Sequence, residues 1–182
     1  MLFLILTSGI AGAWYANKRA DRKAVVLVAA RNLSPFHQIR ASDLEEAELA
    51  TPSGPPGIKQ TSQAINRYTL VMVPKGKPVV PDQLGPAMIA GTLRQSIIVG
   101  LDVSSSATLG GRLRRGLVSD LVLRSDKRGL ATVTLRRVRV LDVVPPTRSS
   151  GRWTVVVAVP KAQRRSLEHV GNAAPLFLMP GG

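Results

Sequence analysis

The sequence predicts a mainly β protein of two small domains. The first is a closed unit with an internal twofold axis, and the second is Arg-rich with a helix near its carboxyl end. An apolar helix precedes both. Three observations carry this expectation. A short phrase occurs twice, forty positions apart. The apolar runs are short, β-branched and separated by Pro- and Gly-bearing turns. One of those runs changes the phase of its alternation midway.

The repeated phrase is Leu33-Ser34-Pro35-Phe36-His37-Gln38-Ile39-Arg40-Ala41-Ser42-Asp43-Leu44, echoed by Val73-Pro74-Lys75-Gly76-Lys77-Pro78-Val79-Val80-Pro81-Asp82-Gln83-Leu84. Each copy holds a turn, a β-branched residue (Ile39, Val79), a helix-capping oxygen (Ser42, Asp82) and a closing Leu. Before the first copy, Val25 to Ala30 is an apolar run ended by Arg31-Asn32 and reads as a buried strand. Before the second, Leu70 to Val73 takes that place. Ser42, with Glu45 three residues on, predicts a one- or two-turn helix opened by a capping box. Two copies are too few for an open solenoid, so the expected product is a closed pseudo-twofold unit.

Further along, Ile97 to Val103 and Leu117 to Leu123 read as strands. From Thr132 to Val140 the apolar residues alternate at odd numbers up to Leu135 and at even numbers from Val138. That switch predicts a bulge at Arg136-Arg137, with Arg136, Arg137 and Arg139 on the solvent side. Trp153 to Val159 reads as a central strand. Pro160 opens a helix over Lys161 to Val170 that Gly171 closes, and Leu176 to Met179 is a last strand. Thr51 to Gly57 and Pro145 to Gly151 are Pro- and Gly-bearing loops.

The repeat resembles a SAF domain, the β-clip module. Gly110-Gly111-Arg112-Leu113-Arg114-Arg115-Gly116-Leu117-Val118-Ser119-Asp120 resembles a signature of the CpaB/RcpC family of Flp (Tad) pilus assembly proteins. Val138 to Leu141 and Trp153 to Met179 are similar to that family's later strands. Phe36 stands where the SAF pattern has Gly, which Gly76 keeps. Leu117 stands where the signature has its first acid, leaving Asp120. The resemblance implies a β-clip domain over residues 25–93 and an RcpC-like β domain over 94–182, after a membrane or signal segment with a basic linker over 1–24. It further implies a non-enzymatic envelope protein that assists pilus assembly. Its partners would be the pilus secretin or inner-membrane assembly proteins.

Composition narrows the chemistry. The 182 residues contain no cysteine, which excludes disulfides and thiolate catalysis or ligation. His37 and His169 stand in different domains without a metal-ligand pattern, so no metal is expected. No nucleophile elbow or phosphate-binding Gly loop occurs, so neither catalytic residues nor cofactor are expected. Asp43, Glu45, Glu46 and Glu48 form an acidic cluster beside the expected helix cap, where acids serve the dipole.

The net charge of +14 is uneven. Residues 25–93 carry six basic and five acidic side chains, whereas Arg112 to Arg152 carry eleven and three. Arg112, Arg114, Arg115, Arg136, Arg137 and Arg139 are the candidate surface for an anionic partner. The alternative function is therefore a binding module for an anionic polymer, nucleic acid or cell-wall material. Cell-wall polymers and anionic lipid reward the same arginines. With aromatics at 4%, base stacking has few rings to use, which disfavours nucleic acid. A SAF-type accessory to a sugar-handling enzyme ranks last.

Leu2 to Ala16 is free of charge and ends near Trp14-Tyr15, ring types favoured at membrane interfaces. Fifteen residues of helix span about 22 Å, against a hydrocarbon core of roughly 30 Å. A membrane anchor, the apolar region of a signal peptide and a buried helix all fit. Lys18, Arg19, Arg22 and Lys23 follow, which by charge would hold the domains in the cytoplasm. The resemblance implies instead a single anchor in the inner or plasma membrane, with the domains facing the periplasm or cell exterior.

Overall fold

The structure, a computed structural model, describes residues 23–50, 56–108, 112–125, 132–146, 152–168 and 173–178. The apolar run 2–16, most of its basic linker, His169, Gly110, Gly111 and the end of the expected last strand lie outside them. Strands β1 (Lys23–Ala29) and β2 (Leu44–Ala50) form an antiparallel pair. Strands β3 (Ser96–Val103), β4 (Val118–Ser125), β5 (Val133–Val144), β6 (Trp153–Pro160) and β7 (Ala173–Leu178) form an antiparallel sheet in the order β3-β6-β5-β4-β7. The only α-helix among the described residues is α1 (Arg164–Glu168).

Backbone hydrogen bonds in the first unit recur at an offset of forty. Leu33 N–H donates to Val73 O and Val73 N–H to Leu33 O, both at 2.9 Å, so this pair sits on the twofold axis. Phe36 N–H to Thr69 O at 2.6 Å is mirrored by Gly76 N–H to Ala29 O at 2.7 Å. Ile39 N–H to Arg67 O at 2.8 Å is mirrored by Val79 N–H to Leu27 O at 2.9 Å. The antiparallel bridge of Gln38 with Tyr68 repeats that of Val28 with Pro78. Ile39 and Val79 are both fully buried, in one cluster with Leu27, Leu33, Val73 and Leu84. Neither copy could bury these residues alone, and closing about the axis removes both sets from water.

The structure corrects four local expectations. Leu70 to Val73 is not a strand. Val73 makes one isolated bridge, Met72 is 62% exposed, and the true counterpart of Leu27-Val28-Ala29 is Arg67-Tyr68-Thr69. The short helices are single 3₁₀ turns, Ala41–Asp43 and Pro81–Gln83. Their caps are not Ser42 and Asp82, which are exposed, but the third residue reaching back. Asp43 Oδ2 accepts Arg40 N–H at 2.9 Å, and Gln83 Oε1 accepts Val80 N–H at 3.3 Å. Each 3₁₀ turn starts two residues before a helix capped by Ser42 or Asp82 would, with Arg40 and Val80 as the cap positions. Glu45, Glu46 and Glu48 lie in β2 and do not serve a helix dipole, leaving Asp43 as the one acid of the cluster at the turn. Residues Leu44–Ala50 are good helix formers, yet the ladder to β1 holds them extended with Glu45, Glu46 and Glu48 outward. Finally, the expected helix after Pro160 is present as α1, but its first turn, Lys161–Gln163, is 3₁₀.

Two bulges shape the larger sheet. Pairing of β4 with β5 shifts between Ser119 and Leu121, where Asp120 faces both Arg136 and Arg137. Arg137 takes a left-handed φ of 55°. Asp120 Oδ1 accepts Arg137 N–H at 2.9 Å, and the Gln163 carboxamide satisfies both Arg136 backbone groups at 2.8 Å. Side chains thus replace the ladder bonds that the bulge interrupts. The second shift, at Leu141, lies between β5 and β6. Val138 and Val140 face the sheet's own core with Val155, Val157 and Val159, whereas Leu141 joins Ala158 on the opposite face.

Candidate functional site

The face of β5 and β6 carrying Leu141 and Ala158 receives the first unit. Tyr68, Met88 and Leu93 bury against it, with Phe36, Leu70 and Val156 at the margin. Tyr68 is fully buried and its hydroxyl donates to Leu141 O at 2.6 Å. The bulge that turns Leu141 toward this face also breaks the regular pairing there, leaving its carbonyl to the phenol. Burial, offset in part by Arg115, Arg139 and Arg67, pushes the Tyr68 hydroxyl up to about 12. It therefore remains a donor at any physiological pH. Gly85 lies so close over the Tyr68 ring that a Cβ would overlap it.

A connector, residues 85–95, leaves the first unit and crosses this face, with a cleft on each side. One cleft, about 340 Å³, is lined by Ile89, Thr92 and Gln95 of the connector and by Val118, Arg137 and Arg139 of the sheet. Register places Val118, Arg139 and Ala158 side by side across β4, β5 and β6. Arg139 is half-buried and donates to Gly116 O at 3.2 Å. No carboxylate lines this cleft.

Of the six arginines singled out by sequence, Arg137 and Arg139 thus share a cleft. Arg136 is exposed beside the bulge. Arg115 pairs with Asp142 at 2.7 Å, and Arg112 and Arg114 are exposed in the turn before β4.

The other cleft, about 240 Å³, lies between the first copy's turn and the connector. Phe36, His37, Gln38, Arg40 and Asn66 line one side, and Leu93, Arg94 and Ile98 the other. Phe36 and Asn66 hold left-handed φ values of 58° and 64°, a conformation costing about 1–2 kcal/mol in Phe36 and less in Asn66, whose short polar side chain tolerates it. Phe36 repays part of that by bringing its ring to 6.4 Å from Tyr68. The Gln38 amide donates to Ile89 O at 2.9 Å and leans toward Met88 O, so carbonyls fix its orientation. Its Oε1 is buried without a donor, in a side chain of a residue that is 8% exposed. Sequence reading missed this cleft, which three separated segments build.

Beside it Asp43 is fully buried. Arg31 Nε donates to its Oδ1 at 2.8 Å, and His37 Nε2 lies 2.7 Å from Oδ2. Because the carboxylate can only accept, Nε2 carries the proton, and its 3.4 Å approach to Arg31 is a contact rather than a bond. Burial alone would raise the Asp43 pKa. Bonds from His37, the Arg40 amide and Arg31 outweigh it, and the net pKa is lowered. With both oxygens engaged, Asp43 ties Arg31, His37 and the Arg40 turn together and has no free lone pair placed for proton transfer to a substrate. Among the described residues no group of three or more acids and histidines could hold a metal ion.

No model of a known protein family, no curated protein and no solved structure matches the chain.

Proposed function

We propose that this protein is a non-enzymatic envelope component that assists assembly of a Flp (Tad)-type pilus. In this reading it docks to the secretion channel or the inner-membrane machinery and is held to the membrane through residues 2–16. The observation that carries the reading is the twofold unit of residues 27–84, repeated at an offset of forty and seated on an Arg-rich sheet through Tyr68. That arrangement is what the resemblance to a SAF-like β-clip followed by an RcpC-like domain calls for. A unit fixed by buried packing and a buried hydrogen bond presents its faces in one geometry, as a docking part must. Deleting the gene should abolish pili, counted by electron microscopy, and the wild-type gene should restore them. Unchanged piliation contradicts the proposal.

A second reading rests on the acid-free cleft of Arg137 and Arg139. Through it the protein would bind an anionic polymer such as cell-wall material or nucleic acid. Replacing Arg136, Arg137 and Arg139 with Glu should then abolish retention on the polymer. Wild-type binding should fall steeply with salt, because guanidinium–phosphate contacts release counterions. Binding indifferent to salt or to these substitutions removes this reading.

A further inference from the structure

The geometry points to the cleft between the Phe36–Arg40 turn and the connector as a binding site for an organic carboxylate with an apolar group beside it. The inference is independent of the pilus reading. Arg40 and Arg94 are exposed and face this one cleft, and neither guanidinium has a hydrogen bond or ion pair among the described residues. No acid lines the cleft, so its two cations are uncompensated there. A guanidinium offers paired donors that match the two oxygens of a carboxylate.

The remaining lining sets the rest of the ligand. Phe36, Leu93 and Ile98 supply an apolar wall, which a bare inorganic anion would not use. Asn66 contributes a carboxamide with no partner of its own among the described residues. The Gln38 Oε1 is a buried acceptor lacking a donor, and a ligand amide N–H is such a donor. Oε1 is covered, so reaching it takes a small displacement of Gln38. An acylated amino acid, or the final residue of a peptide, carries carboxylate, apolar side chain and amide N–H in this arrangement.

The asymmetry of the repeat supports the assignment. At the same offset of forty, Phe36, His37, Gln38 and Arg40 become Gly76, Lys77, Pro78 and Val80. The backbone is retained, while Phe36, Gln38 and Arg40 of the cleft have no counterparts of like chemistry in the second copy. Packing of the clip does not require Arg40 or an orphaned carboxamide, since the second copy closes without either.

The test is calorimetric titration of the full chain with N-acetyl-leucine, N-acetyl-leucinamide, an acetylated tetrapeptide ending in Leu, and inorganic phosphate. The acid should bind, with the amide weaker by about tenfold or more, since a charge-assisted bond is lost. Arg40→Ala and Arg94→Ala should each weaken the acid several-fold without changing the melting temperature, because both side chains are exposed. Arg112→Ala, elsewhere on the basic surface, should leave binding unchanged. A tetrapeptide tighter than the free acid identifies a chain terminus as the natural source. A tetrapeptide no tighter identifies a small acid, and either result supports the site. Equal binding of acid and amide, displacement of the acid by equimolar phosphate, or equal effects of all three Arg substitutions would overturn it.

Discussion

At the crown of the first copy Phe36 holds φ at 58°, and at the same place in the second copy Gly76 holds it at 74°. The turn is the same, and only the first copy places a Cβ in it. The copies diverge likewise at Arg31, His37 and Asp43, whose counterparts are Val71, Lys77 and Gln83. In the first copy an ion cluster closes the turn, and in the second a single neutral carboxamide does the same work. Divergence runs the other way at Tyr68, which answers to Val28 and alone reaches the sheet. The backbone pattern therefore needs only the buried aliphatic set and a turn that tolerates φ > 0. Everything beyond that is free to be used elsewhere, the first copy's turn for a cleft and the second copy's strand for the joint between units.

The largest expected effect separates Tyr68 from Val28. Tyr68→Ala should destabilise by about 3–5 kcal/mol in chemical denaturation, since it empties the space under Gly85 and orphans Leu141 O. Val28→Ala should cost about 2 kcal/mol, having no tie to the sheet. Equal costs would mean that the joint carries little energy. Next, Gly85→Ala drives a methyl into the Tyr68 ring and should cost about 1–3 kcal/mol. In a Tyr68→Ala background much of that cost should vanish, a coupling readable from a double-mutant cycle.

The ion cluster gives the copies different acid responses. The Asp43 pKa in the folded state lies below its ordinary 3.8. The ionised form therefore contributes stability above about that pH, and the contribution is lost as pH falls through the lowered folded value. Asp43→Asn should cost about 1–2 kcal/mol at neutral pH and flatten the acid limb of the stability curve. Gln83→Ala should shift the curve without changing its shape. An unchanged acid limb in Asp43→Asn would show that other carboxylates govern acid unfolding. The smallest effect is at Gly76, where a Cβ would meet nothing within 4 Å. Gly76→Ala should cost about 1 kcal/mol from φ alone, and Gly76→Asn less.

The repeat was legible because its turns and buried β-branched residues recur in register. The first bulge was legible because the alternation at Leu135 and Val138 breaks phase. Strand β2 was not, since Leu-Glu-Glu-Ala-Glu-Leu-Ala favours a helix and only its partner Val25–Ala29 overrides that preference. The second copy's strand was placed too late because Val71 and Met72 are apolar yet lie on the surface. Tyr68 sits among Asn66, Arg67 and Thr69, where no periodicity marks it as buried. Its role depends on a carbonyl seventy-three residues away. The clefts were hidden for the same reason, being made where distant segments meet.

Native-state amide hydrogen exchange tests the twofold unit most directly, by comparing Ala29 with Thr69, Leu33 with Val73 and Ile39 with Val79. These amides form equivalent bonds about one axis, so each pair should open with the same free energy and all six in a single cooperative event. If residues 67–84 exchange freely while residues 27–44 remain protected, the two copies are not one closed unit.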